Sequence, residues 1–126
     1  MRQVAIALVA ALCWPGPALA TATREDFLVT TAGDLIDVCS VPETDPAYER
    51  ATAFCHGFVV GVIRYHDAMT PDPRTDLYCL PDPKPTRQQG IAQFVAWGKA
   101  HPQHAAEQPV DVLFKFLTEV YPCKGK

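Results

Sequence analysis

The stretch that most constrains the fold runs from Asp45 to Met69, with Ala51–Ile63 (ATAFCHGFVVGVI) at its centre. Asp45-Pro46 reads as a helix start. An acid stands at the N-cap, and a proline fills the first helical position, where its missing N–H costs nothing. Tyr48, Ala51, Cys55, Phe58, Val59, Val62 and Ile63 then recur at three- and four-residue steps and define one helical face. Phe54, Gly57, Val60 and Gly61 occupy the opposite side, and only Thr52 and His56 are polar between Ala51 and Ile63. A helix apolar nearly all round belongs inside a protein, and this one is too short and interrupted to span a bilayer. The pattern predicts a buried central helix. Gly57 and Gly61 each cost about 1 kcal/mol relative to alanine in a helix interior. Four residues apart they share a face, so the expectation is a helix-packing contact there with a close backbone neighbour.

Residues 1–20 read as a cleavable signal peptide rather than as part of the fold. Met1-Arg2 supplies a positive start, Val4 to Leu12 an apolar run, and Ala18-Leu19-Ala20 a cleavage signal. Cys13 would be lost with this leader, and residues 21–126 would form a single domain with one core. The whole chain carries a formal charge of −3, and loss of Arg2 makes it more acidic. No basic cluster suggests nucleic acid, and nothing suggests membrane insertion after the signal peptide is cut.

Four cysteines remain, Cys39, Cys55, Cys79 and Cys123. An even number in an exported chain of this size implies two disulfides, and no CxxC spacing points to redox or zinc chemistry. Three pairings are possible. The favoured one joins Cys39 to Cys55 across two consecutive helices and Cys79 to Cys123, tying the middle loop to the C-terminus. In the chain-entropy picture these bridges contribute roughly 3 and 4 kcal/mol.

The remaining elements follow from caps and prolines. Phe27-Leu28-Val29 is an apolar lead-in to the core. Thr31 with Asp34 forms an approximate capping pattern before a short helix carrying Leu35, Ile36, Val38 and Cys39. Pro71, Pro73, Pro81, Pro83 and Pro85 exclude helix and interior strand from residues 70–85, leaving a long, stiff loop anchored by Cys79. Thr86 and Gln89 form a capping box for a third helix with an apolar face of Ile91, Phe94, Val95 and Gly98 and with Trp97 beside it. Pro102 ends it. Pro109 opens a fourth helix whose stripe reads Val110, Leu113, Phe114, Leu117, Val120 and Tyr121. The fold class is all-α, a small bundle of four to five helices around a buried central helix and pinned by two disulfides.

Catalytic chemistry finds little support. Cys55 and His56 are helix neighbours pointing about 100° apart, and a cysteine in a disulfide has no thiolate. Pro102 lies between His101 and His104 and spoils a helical metal site, so these read as dipole-facing or solvent histidines. No metal or cofactor site and no nucleophile, phosphate-loop or zinc-protease motif is present. The chain does not read as an enzyme.

Thr31-Ala32-Gly33-Asp34-Leu35 with Cys39, then Cys55-His56-Gly57-Phe58-Val59-Val60-Gly61-Val62, Cys79-Leu80-Pro81, His101-Pro102 and Tyr121-Pro122-Cys123 follow one another in an order that resembles the Rap/Tai family, the immunity proteins for type VI secretion amidase effectors. The resemblance implies a periplasmic, all-helical, disulfide-bonded inhibitor, often a homodimer, that binds a peptidoglycan amidase and blocks its substrate groove. This sequence departs from the pattern in its extra prolines after Cys79-Leu80-Pro81, in Gly98 where a large apolar residue is usual, and in Pro109. The alternative is a periplasmic helical protein of the same fold with a general envelope-stress or chaperone-like role. The expected partner-binding segment is the 66–78 loop, with His66, Asp67, Arg74, Asp76 and Tyr78. A stiff, charged loop held by a disulfide loses little ordering entropy on binding.

Overall fold

A computed structural model describes residues 22–124. The signal peptide expected over residues 1–20, and Cys13 with it, lies outside them. Four helices carry the fold: α1 (Ala32–Cys39), α2 (Tyr48–Met69), α3 (Arg87–Ala100) and α4 (Pro109–Val120). Single 3-10 turns stand at Asp26–Leu28, Pro73–Thr75 and Pro102–His104, and there are no strands among the described residues. The expected all-α bundle is what the chain forms.

Its buried helix is not the one the apolar run singles out. Short α1 touches each of the other three helices, and Ala32, Leu35, Ile36 and Val38 are buried along it. Its start is closed on two sides. Thr31 and Asp34 form a complete capping box, with the Thr31 N–H donating to the Asp34 carboxylate at 2.8 Å and the Asp34 N–H to the Thr31 hydroxyl at 3.3 Å. The next helical N–H groups, which an isolated helix leaves unsatisfied, donate to the linker between α3 and α4: Ala32 to the Glu107 carbonyl at 2.9 Å and Gly33 to the Ala105 carbonyl at 2.8 Å.

Helix α2 buries one face only. Ala51, Cys55, Val59 and His66 are buried, whereas Phe58, Val62 and Ile63 are half-buried. Glu49, Ala53, Gly57, Gly61, Tyr65 and Met69, spaced four apart, form an exposed ridge. The helix also begins at Tyr48 rather than at Pro46. The Asp45 carboxylate accepts from the Ala47 N–H at 2.7 Å, closing a turn ahead of the helix instead of capping it. Phe27 packs edge-on against Phe54 at 5.5 Å, with the Arg50 guanidinium over its ring, so the lead-in lies along α2.

The described chain brings no close neighbour to Gly57 or Gly61; the tight contact at a glycine is with a side chain, at Gly98. A Cβ at Gly57 or Gly61 would meet nothing within 4 Å, whereas one at Gly98 would lie 2.4 Å from Ile36 Cδ1. Gly98 is where α3 presses onto α1. Capping box and boundaries of α3 match the sequence reading, with the Thr86 N–H donating to Gln89 at 2.8 Å; Trp97 is buried and Val95 only half so. On α4 the buried face is Pro109, Val112, Leu113, Phe116 and Leu117. The expected stripe is therefore rotated, leaving Val110 and Val120 exposed and Phe114 half-buried. Both disulfides take the favoured pairing, Cys39–Cys55 with Cα atoms 5.2 Å apart and Cys79–Cys123 at 4.9 Å.

Candidate protein-interaction site

One end of the bundle gathers the last turns of α2, the proline-rich segment and the start of α3. The sequence dictates a loop here that cannot relax into a regular element, and its local contacts make it rigid. The Asp72 carboxylate accepts from the Arg74 N–H at 3.0 Å and caps the Pro73–Thr75 turn. The Arg74 guanidinium folds back on the same carboxylate, with Nη2 at 2.7 Å from Oδ2 and Nε at 3.0 Å from Oδ1. The Thr75 hydroxyl donates to the Asp72 carbonyl at 2.7 Å. Further along, the Cys79 N–H donates to the Tyr121 carbonyl at 2.8 Å, beside the Cys79–Cys123 bridge.

Three rings fix the loop to the helices. Tyr78 lies 5.4 Å from His66 and 6.4 Å from Phe114, and His66 lies 5.3 Å from Phe114, centroid to centroid. Ring contacts of this kind add about 0.5–1.5 kcal/mol beyond area burial. Burial, together with the Asp67 and Asp76 carboxylates, pushes the ionisation of the Tyr78 hydroxyl up, so it stays neutral well beyond physiological pH.

The five residues expected to contact a partner thus divide. His66 and Tyr78 are buried, each 7% exposed, and serve the ring cluster. His66 and Asp67 belong to the last turns of α2, not to a loop. Asp67 and Arg74 are exposed and Asp76 is half-buried. His66 Nε2 has no hydrogen-bond partner among the described residues, while Nδ1 lies 3.4 Å from the Thr70 hydroxyl and 3.8 Å from the Asp67 carboxylate. Its packing between two rings explains why a polar side chain sits in this core.

Two surfaces flank the loop: the sequence reading missed the first apart from His66, whereas His66, Asp67, Asp76 and Tyr78 of the expected segment all line the second. On one side Gly61, Tyr65, Met69, Leu77, Val110 and Phe114 line a shallow apolar depression. Tyr65, Met69 and Leu77 are each more than half exposed. Tyr65 and Met69 continue the four-residue spacing of Gly57 and Gly61, a signal that was present in the sequence. On the other side Arg64, Asp67, Asp76, Lys84 and Arg87 line a charged groove floored by Val60, Ile63 and Leu80.

The rest of the surface offers little chemistry. Cys55 is bonded to Cys39, which leaves no thiolate beside His56. The His101 Nδ1–H donates to the Trp97 carbonyl at 2.7 Å and closes α3. Lys115 pairs with the Glu107 carboxylate, and His104 meets the same group at 2.6 Å; both hold Glu107 below the usual carboxylate range. Among the described residues no three His, Cys, Asp or Glu side chains cluster to hold a metal, and no helix is long and apolar enough to cross a membrane.

A family model for Rap1a immunity proteins matches residues 31–123. Neither a curated protein nor a solved structure matches the chain.

Proposed function

Since this chain belongs to the Rap1a immunity protein family, we propose that it is a periplasmic inhibitor that binds a type VI secretion peptidoglycan amidase effector and occludes its active-site groove. The family match over residues 31–123 carries this reading. Two features of the molecule support it. The ridge from Asp72 to Leu77 is held by its own hydrogen bonds, a ring cluster and a disulfide, so docking it costs little ordering entropy. Exposed apolar side chains stand beside it, the composition expected at the core of a protein–protein contact.

Arg74 and Leu77 are exposed groups of this ridge in the proposed contact, with Asp76 and, from the last turns of α2, Asp67 beside them. The open flank of α2 along Ala53, Gly57 and Gly61 is where a second copy would pack. Small residues four apart let two helix backbones approach closely, and no part of the described chain does so there.

A toxicity rescue tests the proposal. A neighbouring amidase effector is directed to the periplasm of a host with and without this protein, and lysis is followed. Protection that depends on residues 1–20 supports it; lysis in the presence of confirmed periplasmic protein, for every neighbouring amidase, overturns it. Combined Arg74→Glu and Leu77→Ser should abolish protection with the helix content unchanged, and unchanged protection would remove the ridge from the interface.

A further inference from the structure

Four of the helical glycines divide by what surrounds them. Gly98 is required by Ile36, whereas a Cβ at Gly57, Gly61 or Gly90 meets nothing within 4 Å. Each of these three forgoes about 1 kcal/mol relative to alanine. Gly57 and Gly61 lie on the open flank of α2 already considered. Gly90 does not: it lies on α3, half-buried, at the edge of an apolar crevice between α2, α3 and α4.

The crevice has a volume of about 100 Å³. Val60, Ile63, Ile91 and Leu117 are among its walls, and Leu80 and Pro85 from the proline-rich segment close one side. A cavity of about 150 Å³ lined by such side chains stays dry and takes a benzene ring, so this one suits a single phenyl or branched aliphatic group. Arg87 stands at its mouth and is shared with the adjoining charged groove, where Lys84 joins it. No acidic residue occupies the first turn of α3, and neither cation has an ion-pair partner among the described residues. Gly90 lines this space and a Cβ there meets no atom within 4 Å, so a long side chain at this position has room to lie across it. Its absence keeps the crevice open.

We propose that the Gly90 crevice receives one large apolar side chain, presented next to a carboxylate on an extended segment of the effector. The occupant's identity as an effector segment rests on the proposed function. The apolar group fills the crevice between Ile63, Leu80 and Ile91, and the carboxylate lies against Arg87 and Lys84. The charged groove continues past Leu80 to Asp76 and Asp67, so the segment runs toward the Asp72–Leu77 ridge rather than ending at the crevice. Apolar anchors in desolvated pockets carry most of the affinity in such contacts.

Two experiments on the full mature chain test this. In the first, phenylacetate is titrated into labelled protein and amide shifts are read by NMR. It should move the signals of Gly90, Ile91 and Leu80, and both Gly90→Met and the neutral analogue phenylacetamide should abolish or strongly weaken the response. In the second, binding of the purified effector is measured. Gly90→Met and Arg87→Glu should each weaken it about tenfold or more, while Gly90→Met leaves Tm unchanged or raised because a helical glycine has been replaced. Absence of phenylacetate shifts at Gly90, or equal effector binding by Gly90→Met, overturns the crevice proposal. Phenylacetate docking with no effector bound by the wild-type chain refutes instead the proposed function, and the effector as occupant with it.

Discussion

Replacing Gly98 and Gly57 separately by alanine isolates the one close contact on which the packing of α3 against α1 depends. Both positions are inside helices, so both substitutions gain about 1 kcal/mol of intrinsic helix preference. At Gly57 nothing opposes that gain, because the added methyl meets no atom within 4 Å. At Gly98 the methyl would lie 2.4 Å from Ile36 Cδ1 and 3.0 Å from Cγ1. Ile36 is 7% exposed and cannot swing into solvent without leaving the core. Forcing an extra methyl into such a place costs about 1–3 kcal/mol. The helix term cancels between the two variants, so Gly98→Ala should be less stable than Gly57→Ala by about 1–3 kcal/mol. For a domain of this size each kcal/mol moves Tm by about 4–8 °C, so the gap should be at least about 4 °C. Thermal unfolding followed by circular dichroism measures it. Ile36→Val removes the clashing methyl. In a double-mutant cycle Gly98→Ala should therefore cost less in the presence of Ile36→Val than in the native chain. A Gly98→Ala protein as stable as Gly57→Ala, or a cycle with no coupling, would refute the contact.

Two further outcomes follow from the same physical reasoning. Removing the Cys79–Cys123 bridge by paired alanine substitutions opens a loop spanning 44 residues and should destabilise the chain by about 4 kcal/mol in the chain-entropy model; denaturant unfolding checks this, and a loss below about 1 kcal/mol would show that the ring cluster alone holds the loop. Burial raises the ionisation of Tyr78 and Tyr121 in the folded chain, so their contribution to stability is complete below the unfolded tyrosine value of about 10 and is lost as pH rises through the folded values. Stability should fall above pH of about 10, less steeply in Tyr78→Phe, and an identical alkaline limb in the variant would refute the burial argument.

The candidate site was legible in part. Five prolines between residues 70 and 86 announce a stiff segment, and Cys79 announces its anchor. Which charged or aromatic residues on it face outward was not legible. His66 and Tyr78 look like surface residues in a charged stretch, yet they meet Phe114 of a distant helix and turn inward. Conversely, Val110 stands in the apolar stripe expected of α4 yet remains open beside Tyr65 and Met69, because no element of the described chain covers that end of α2.

The sequence by itself determined what depends on near neighbours. Thr31 with Asp34, Thr86 with Gln89, and Pro109 set the starts of three helices through hydrogen bonds and torsions spanning one turn. Cysteine number and spacing narrowed the disulfides to three pairings. Only the tertiary structure decided which faces are buried. An amphipathic stripe fixes a helix's apolar side to within about a residue, and the α4 stripe was displaced by about that much, with Val112 buried and Phe116 turned against Phe94 and Trp97 of α3. The run at Ala51–Ile63 is apolar enough to be buried all round, but burial requires neighbours on every side, and the described residues supply them on one. The same holds for glycine: its cost is local and visible in the sequence, while its reason is a contact. Ile36 provides that contact at Gly98, and nothing in the described chain provides it at Gly57, Gly61 or Gly90.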